Sequence, residues 1–133
     1  MNGMTIRDLH IGDVVRTKVN VPVSGSRIGC VMELSQNSVY LDEKGYFEPD
    51  KLEGISLTEV RLLERFGFRH DETQGCIMYG TRVKVFYTMS QNIDSVYIKT
   101  PSNEWKRYGC ISCLHELQQA YHKIAGGIME LKV

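Results

Sequence analysis

Ser112-Cys113-Leu114-His115-Glu116-Leu117-Gln118-Gln119-Ala120-Tyr121-His122-Lys123-Ile124-Ala125 is the run that decides the fold class. Its apolar members Cys113, Leu114, Leu117, Tyr121 and Ile124 share one stripe at helical spacing. Gly126-Gly127 follows and stops the helix. Upstream the period is two. Gly75 to Tyr79, Arg82 to Thr88, Ile93 to Lys99 and Trp105 to Tyr108 read as strands, joined by polar turns such as Ser90-Gln91-Asn92 and Pro101-Ser102-Asn103. Sheet followed by helix predicts an α+β protein.

Farther out, Thr58 is placed to cap a helix of about two turns, with Leu57 and Leu62 as a hydrophobic staple and Leu62, Leu63 and Phe66 as its core stripe. Gly67 is suited to end it. Before it, Val14 to Val19, Arg27 to Leu34, Ser38 to Asp42 and Gly45 to Phe47 read as short strands of a strongly bent hairpin meander. After the last helix, Ile128 to Val133 alternates in part and is expected to add an edge strand. The division predicted is residues 1–54 as a small SH3-like, barrel-like β lobe and residues 55–133 as an α+β lobe of antiparallel strands with two helices, ending in a helix and edge strand.

The 133 residues are 42% hydrophobic, enough for a core, and the 16 basic residues equal the 16 acidic ones. No net field therefore draws the chain to nucleic acid or an anionic membrane. The six basic and eight acidic residues up to position 54, against ten and eight beyond it, divide the charge too weakly to assign a partner. No stretch approaches ~18 consecutive apolar residues, and Met1 to Asp8 lacks the build of a signal peptide, so a cytoplasmic protein without membrane contact is expected. In that compartment Cys30, Cys76, Cys110 and Cys113 should be reduced thiols. Ile28, Cys30, Met32 and Leu34 alternate as one apolar face, which places Cys30 in the core, and Cys76 beside Ile77 and Met78 reads the same way.

The run Leu57-Thr58-Glu59-Val60-Arg61-Leu62-Leu63-Glu64-Arg65-Phe66-Gly67-Phe68, the closing His115-Glu116-Leu117-Gln118-Gln119-Ala120-Tyr121 … Gly126, and the opening Leu9-His10-Ile11-Gly12-Asp13-Val14-Val15 together carry a resemblance. The chain resembles a family of small uncharacterised proteins carried by prophages and mobile elements of gut bacteria. It differs from that pattern by one extra residue between Leu63 and Phe66, by Gln119 in place of Asn and by Ala125 in place of Thr. The resemblance implies a two-part α+β protein and supplies no activity and no functional residue.

Cys110-Ile111-Ser112-Cys113-Leu114-His115 gathers three metal-binding side-chain types at a helix mouth, but structural zinc wants four ligands, and Cys30, Cys76, His10, His70 and His122 are isolated in sequence. Cys113 also belongs to the apolar stripe, so no metal is expected. A redox pair would place its Cys-x-x-Cys after an early strand, whereas this one precedes the last helix. A cysteine nucleophile with His115 or His70 would have to be assembled from residues that spacing does not link. His115 and His122, with Gln118 and Gln119 between them, read as a solvated or partner-facing polar stripe, and no phosphate-cradling glycine loop is present. No cofactor is expected.

Aromatic placement remains. With Val39 and Leu41 facing the core, Tyr40 points outward, toward the face expected to carry Arg16, Lys18 and Arg27. In the second sheet, the face opposite Val83, Val85, Val96 and Ile98 would hold Arg82, Lys84, Phe86, Tyr97 and Lys99, with Trp105 and Arg107 nearby. Basic residues interleaved with aromatics can stack unpaired bases. The plainer expectation is that the helices pack on this face and bury Phe86 and Tyr97. The function expected is a non-enzymatic binding or adaptor protein with a protein partner, the alternatives being a nucleic-acid-binding accessory protein and a cysteine- or zinc-dependent enzyme.

Overall fold

Ten short strands and two α-helices occupy residues 4–133, the part of the chain that the computed structural model describes. They form a small mixed α+β protein with two five-stranded antiparallel sheets. The chain divides into two units, Met1–Ile55 with Val133, and Ser56–Lys132.

The first unit contains β1 (Val14–Thr17), β2 (Ile28–Leu34), β3 (Val39–Leu41), β4 (Gly45–Phe47) and β5 (Leu52–Glu53), in the order β4-β3-β2-β1-β5. A 3₁₀ turn at Pro49–Lys51 precedes β5, which crosses back to β1 and sets Arg16 opposite Glu53. β5 is two residues long, too short to show any alternation in sequence. The first half of β2 pairs with β1 and its second half with β3, and a register irregularity falls between Val31 and Glu33.

The alternation expected for β2 already fails before that irregularity. The buried positions are Gly29 and Val31, while Cys30 is half-buried and Met32 is 46% exposed. Gly29 lies against β3 so closely that an added Cβ would stand 3.1 Å from Leu41 Cβ. A side chain there would push Leu41 and Lys44 aside by a few tenths of an ångström, and Val31, two residues on, shares the same core-facing side. Past the bulge the parity inverts and Leu34 packs against the cluster of Leu9, Val15, Val31, Val39, Leu41 and Leu52.

The second unit runs α1 (Val60–Arg65), β6 (Arg69–Asp71), β7 (Cys76–Tyr79), β8 (Val83–Tyr87), β9 (Ile93–Lys99), β10 (Trp105–Tyr108) and α2 (Leu114–Ala125). Its sheet is a plain meander, β10-β9-β8-β7-β6. The inner face carries Ile77, Val83, Val85, Val96 and Ile98, all fully buried. Tyr79, opposite Val83 on that face, has its ring 5.9 Å from Tyr121 of α2 and 5.6 Å from Phe68. The helix α2 therefore covers the aliphatic face, and the expectation that it buries Phe86 and Tyr97 is corrected.

Three further expectations change. Thr58 does not cap α1: Glu59 stands at the N-cap, and the Thr58 hydroxyl bonds to Ser56 Oγ at 2.8 Å. In α2, His115 and Gln118 are 7% and 8% exposed, so these two members of the expected polar stripe are enclosed while His122 is exposed. At about 100° per residue Gln118 lies close to Leu114 on the wheel, which widens the buried sector beyond the apolar stripe toward His115. Finally, Ile128 to Val133 forms no strand. Tyr79 Oη bonds to the backbone of Glu130, and Lys132 N donates to Phe66 O at 2.9 Å. The tail is held at these two points, with Met129 buried, without a ladder.

Candidate functional site

The pairings that bury Val83 and Ile98 send their neighbours to the opposite side of the sheet. Lys84 stands opposite Tyr97, Phe86 opposite Ser95, Tyr97 opposite Arg107 and Lys99 opposite Trp105. The face so formed carries Lys84, Phe86, Tyr97, Lys99 and Trp105 together.

Phe86 and Tyr97 meet edge to face, with centroids 5.6 Å apart at 82°. The Lys84 ammonium lies 4.5 Å from the centre of the Trp105 ring and donates to Gln74 Oε1 at 2.9 Å, while Lys99 Nζ is 5.4 Å from the same ring. Two cations thus hold the indole in place by attraction to its π face. Between these side chains is a groove of about 320 Å³, lined by Lys84, Phe86, Asp94, Ser95, Tyr97 and Trp105. Asp94 and Ser95 escaped sequence reasoning. The register shifts where Phe86 pairs with Ser95 and Tyr87 with Ile93, so Asp94 is the extra residue of a bulge, and strict alternation would have misplaced it. Ser95 Oγ donates to Asp94 Oδ2 at 3.2 Å.

Two expected members lie elsewhere. The Arg82 guanidinium donates to Thr100 O at 3.0 Å, which ties it to the β9–β10 connection, outside the groove lining. Tyr40 belongs to the first unit, where its ring is 4.9 Å from Tyr46. Two of the three basic neighbours expected for it are engaged with an acid, since Arg16 Nε and Arg27 Nη2 reach Glu53 Oε2 at 2.8 and 3.4 Å.

The cysteine motif is used for capping. Cys113 is the N-cap of α2, and Glu116 Oε1 accepts from Ser112 N at 2.9 Å, Cys113 N at 2.9 Å and Ser112 Oγ at 3.1 Å. Partial burial opposes the Glu116 carboxylate, but these bonds and nearby His115 outweigh it and hold its pKa below the ordinary value. Cys110 is exposed, and among the described residues no three His, Cys, Asp or Glu side chains gather as metal ligands. Burial, and then Asp42 and Asp13, push the Cys30 thiol up; burial and then Asp71 do the same to Cys76, against an opposing pull from Lys84. Neither is a ready thiolate.

A larger groove of about 920 Å³ runs along α1, where charges of both signs, Arg61, Arg65, Glu59 and Glu64, share the wall with His70 and Tyr87. The Tyr87 hydroxyl donates to Leu57 O at 2.6 Å, and burial pushes its phenol well up, so it serves as a structural clasp. The aromatic groove of the β6–β10 sheet is the place where stacking surface, cations and an acceptor coincide. Comparison with family models, with curated proteins and with solved structures finds no match to the chain.

Proposed function

We propose that the chain is a non-enzymatic binding or adaptor protein whose ligand lies on the open face of the β6–β10 sheet. The observation that carries this reading is the uncovered face itself: Phe86, Tyr97 and Trp105 stand on the side of the sheet away from α2, interleaved with Lys84 and Lys99. Apolar rings left on a surface and rimmed by polar groups mark binding sites. The strand order β4-β3-β2-β1-β5, with a 3₁₀ turn before the returning β5, supports an SH3-like description of the first unit. The resemblance to prophage and mobile-element proteins supports an accessory role in the bacterial cytoplasm. A cysteine-centred activity draws no support from Cys113, which caps α2.

Trp105 is the single tryptophan of the chain, so its indole N–H resonance and fluorescence report this face alone. Titration with mixed-sequence single-stranded oligonucleotides, acidic peptides and proline-rich peptides should give one class that shifts the indole signal, and Tyr97→Ala should weaken that class. Ligands that perturb amides of the first unit while the Trp105 signal stays fixed would overturn the reading.

A further inference from the structure

The groove contains cues that choose among ligands. A quaternary ammonium or methylated lysine would seek the π face of Trp105, but Lys84 and Lys99 already lie over that ring. A cationic ligand would meet two like charges. Cations prevail on the face: Lys84, Lys99 and Arg107 stand on neighbouring strands against the carboxylates of Asp94 and of Asp71, the latter engaged by Thr73 N, Gln74 N and Gln74 Nε2. An anionic chain is thereby favoured, and flat rings favour a planar, stackable group.

Asp94 then selects the group. An ionised carboxylate only accepts hydrogen bonds. Among the common bases, guanine alone presents two adjacent donors on its pairing edge, N1–H and the exocyclic N2 amine. Adenine and cytosine offer one donor beside an acceptor, and uracil offers one donor between two acceptors. The groove, about 320 Å³, is near the lower bound for ligand pockets (about 300 Å³), a size for one ring system rather than a strand. Building on the open-face reading, we propose that the groove takes one unpaired guanine of a single-stranded nucleic acid, stacked against Phe86 and Tyr97 beside the lysine-covered Trp105 and held by Asp94, while Lys84, Lys99 and Arg107 meet the flanking phosphates.

Fluorescence anisotropy tests this with a ten-nucleotide uridine strand bearing one central guanine, beside the same strand with inosine there and the all-uridine strand. Inosine lacks the N2 amine, so replacing guanine should weaken binding about tenfold. Asp94→Asn, which puts a donor beside an acceptor, should abolish the preference for guanine over inosine and leave the all-uridine strand bound as before or better. Tyr97→Ala should weaken every strand by about tenfold, with amide dispersion confirming that the variant is folded. Raising salt from about 50 to 200 mM should weaken binding about twentyfold for three phosphate contacts, and Lys99→Glu should flatten that slope. Equal affinity for guanine, inosine and all-uridine strands overturns the base assignment. Guanosine monophosphate binding as tightly as the strand overturns the strand. No binding of any strand at 50 mM salt overturns the nucleic acid altogether. A peptide that shifts the Trp105 indole in that last case leaves the open-face reading standing while this proposal falls.

Discussion

Thr17 is fully enclosed, and its hydroxyl oxygen has no hydrogen-bond partner among the described residues. An unsatisfied buried hydroxyl costs about 1–3 kcal/mol, and valine has nearly the same shape without that oxygen. Thr17→Val should therefore raise the stability of the protein by about 1 kcal/mol in a denaturant titration; a loss of stability would mean that the hydroxyl is bonded. Glu116 argues in the opposite direction. Its pKa is lower folded than unfolded, so the folded state binds fewer protons, and the carboxylate's contribution is complete above the ordinary carboxylate range and disappears as pH falls through its folded pKa. Glu116→Gln should cost about 1 kcal/mol at pH 7, as a lost helix cap does, and the gap from the parent protein should close on acidification. A gap that stays constant down to strongly acid pH would show that the charge is irrelevant.

At the level of the element, α2 gives the sharpest contrast. Leu117 is fully buried, and its truncation to alanine should cost about 2–5 kcal/mol. His115→Ala should now be costly too, because the ring is enclosed, whereas His122→Ala should stay within about 0.5 kcal/mol, since the His122 ring is exposed. Thermal melts of the three variants decide it, and His115 behaving like His122 would return the histidine to solvent. The same helix shows what the sequence made legible. Apolar period places α2 and alternation places the seven-residue β9, because long amphipathic segments carry many votes, and the Pro101-Ser102-Asn103 turn places the short β10 after it. The two-residue β5 carries too few, and β2 reads on the wrong face because Ile28, Cys30, Met32 and Leu34 look more apolar than Gly29 and Val31, while the bulge that returns Leu34 to the core has no mark in the letters. The groove divided the same way. Lys84, Phe86, Tyr97, Lys99 and Trp105 follow from strand parity, whereas Asp94 depends on a second bulge and was invisible.

Across the whole molecule, equal numbers of acids and bases leave no long-range steering, so any attraction of an anionic chain must come from the few cations of one face acting within a Debye length, about 8–10 Å. Affinity there is a local property that bulk charge does not forecast. The order of the elements adds a matter of timing. The aliphatic face of the second sheet has its Val83, Val85, Val96 and Ile98 in place once Lys99 is made, but α2, which covers it, ends at Ala125, 26 positions later. At about 5–20 residues per second that interval lasts about 1–5 s, by which a dry-seeking surface leaves the ribosome ahead of the helix that covers it. The nascent chain, rather than the finished protein, is thus the form most exposed to aggregation and most in need of a chaperone.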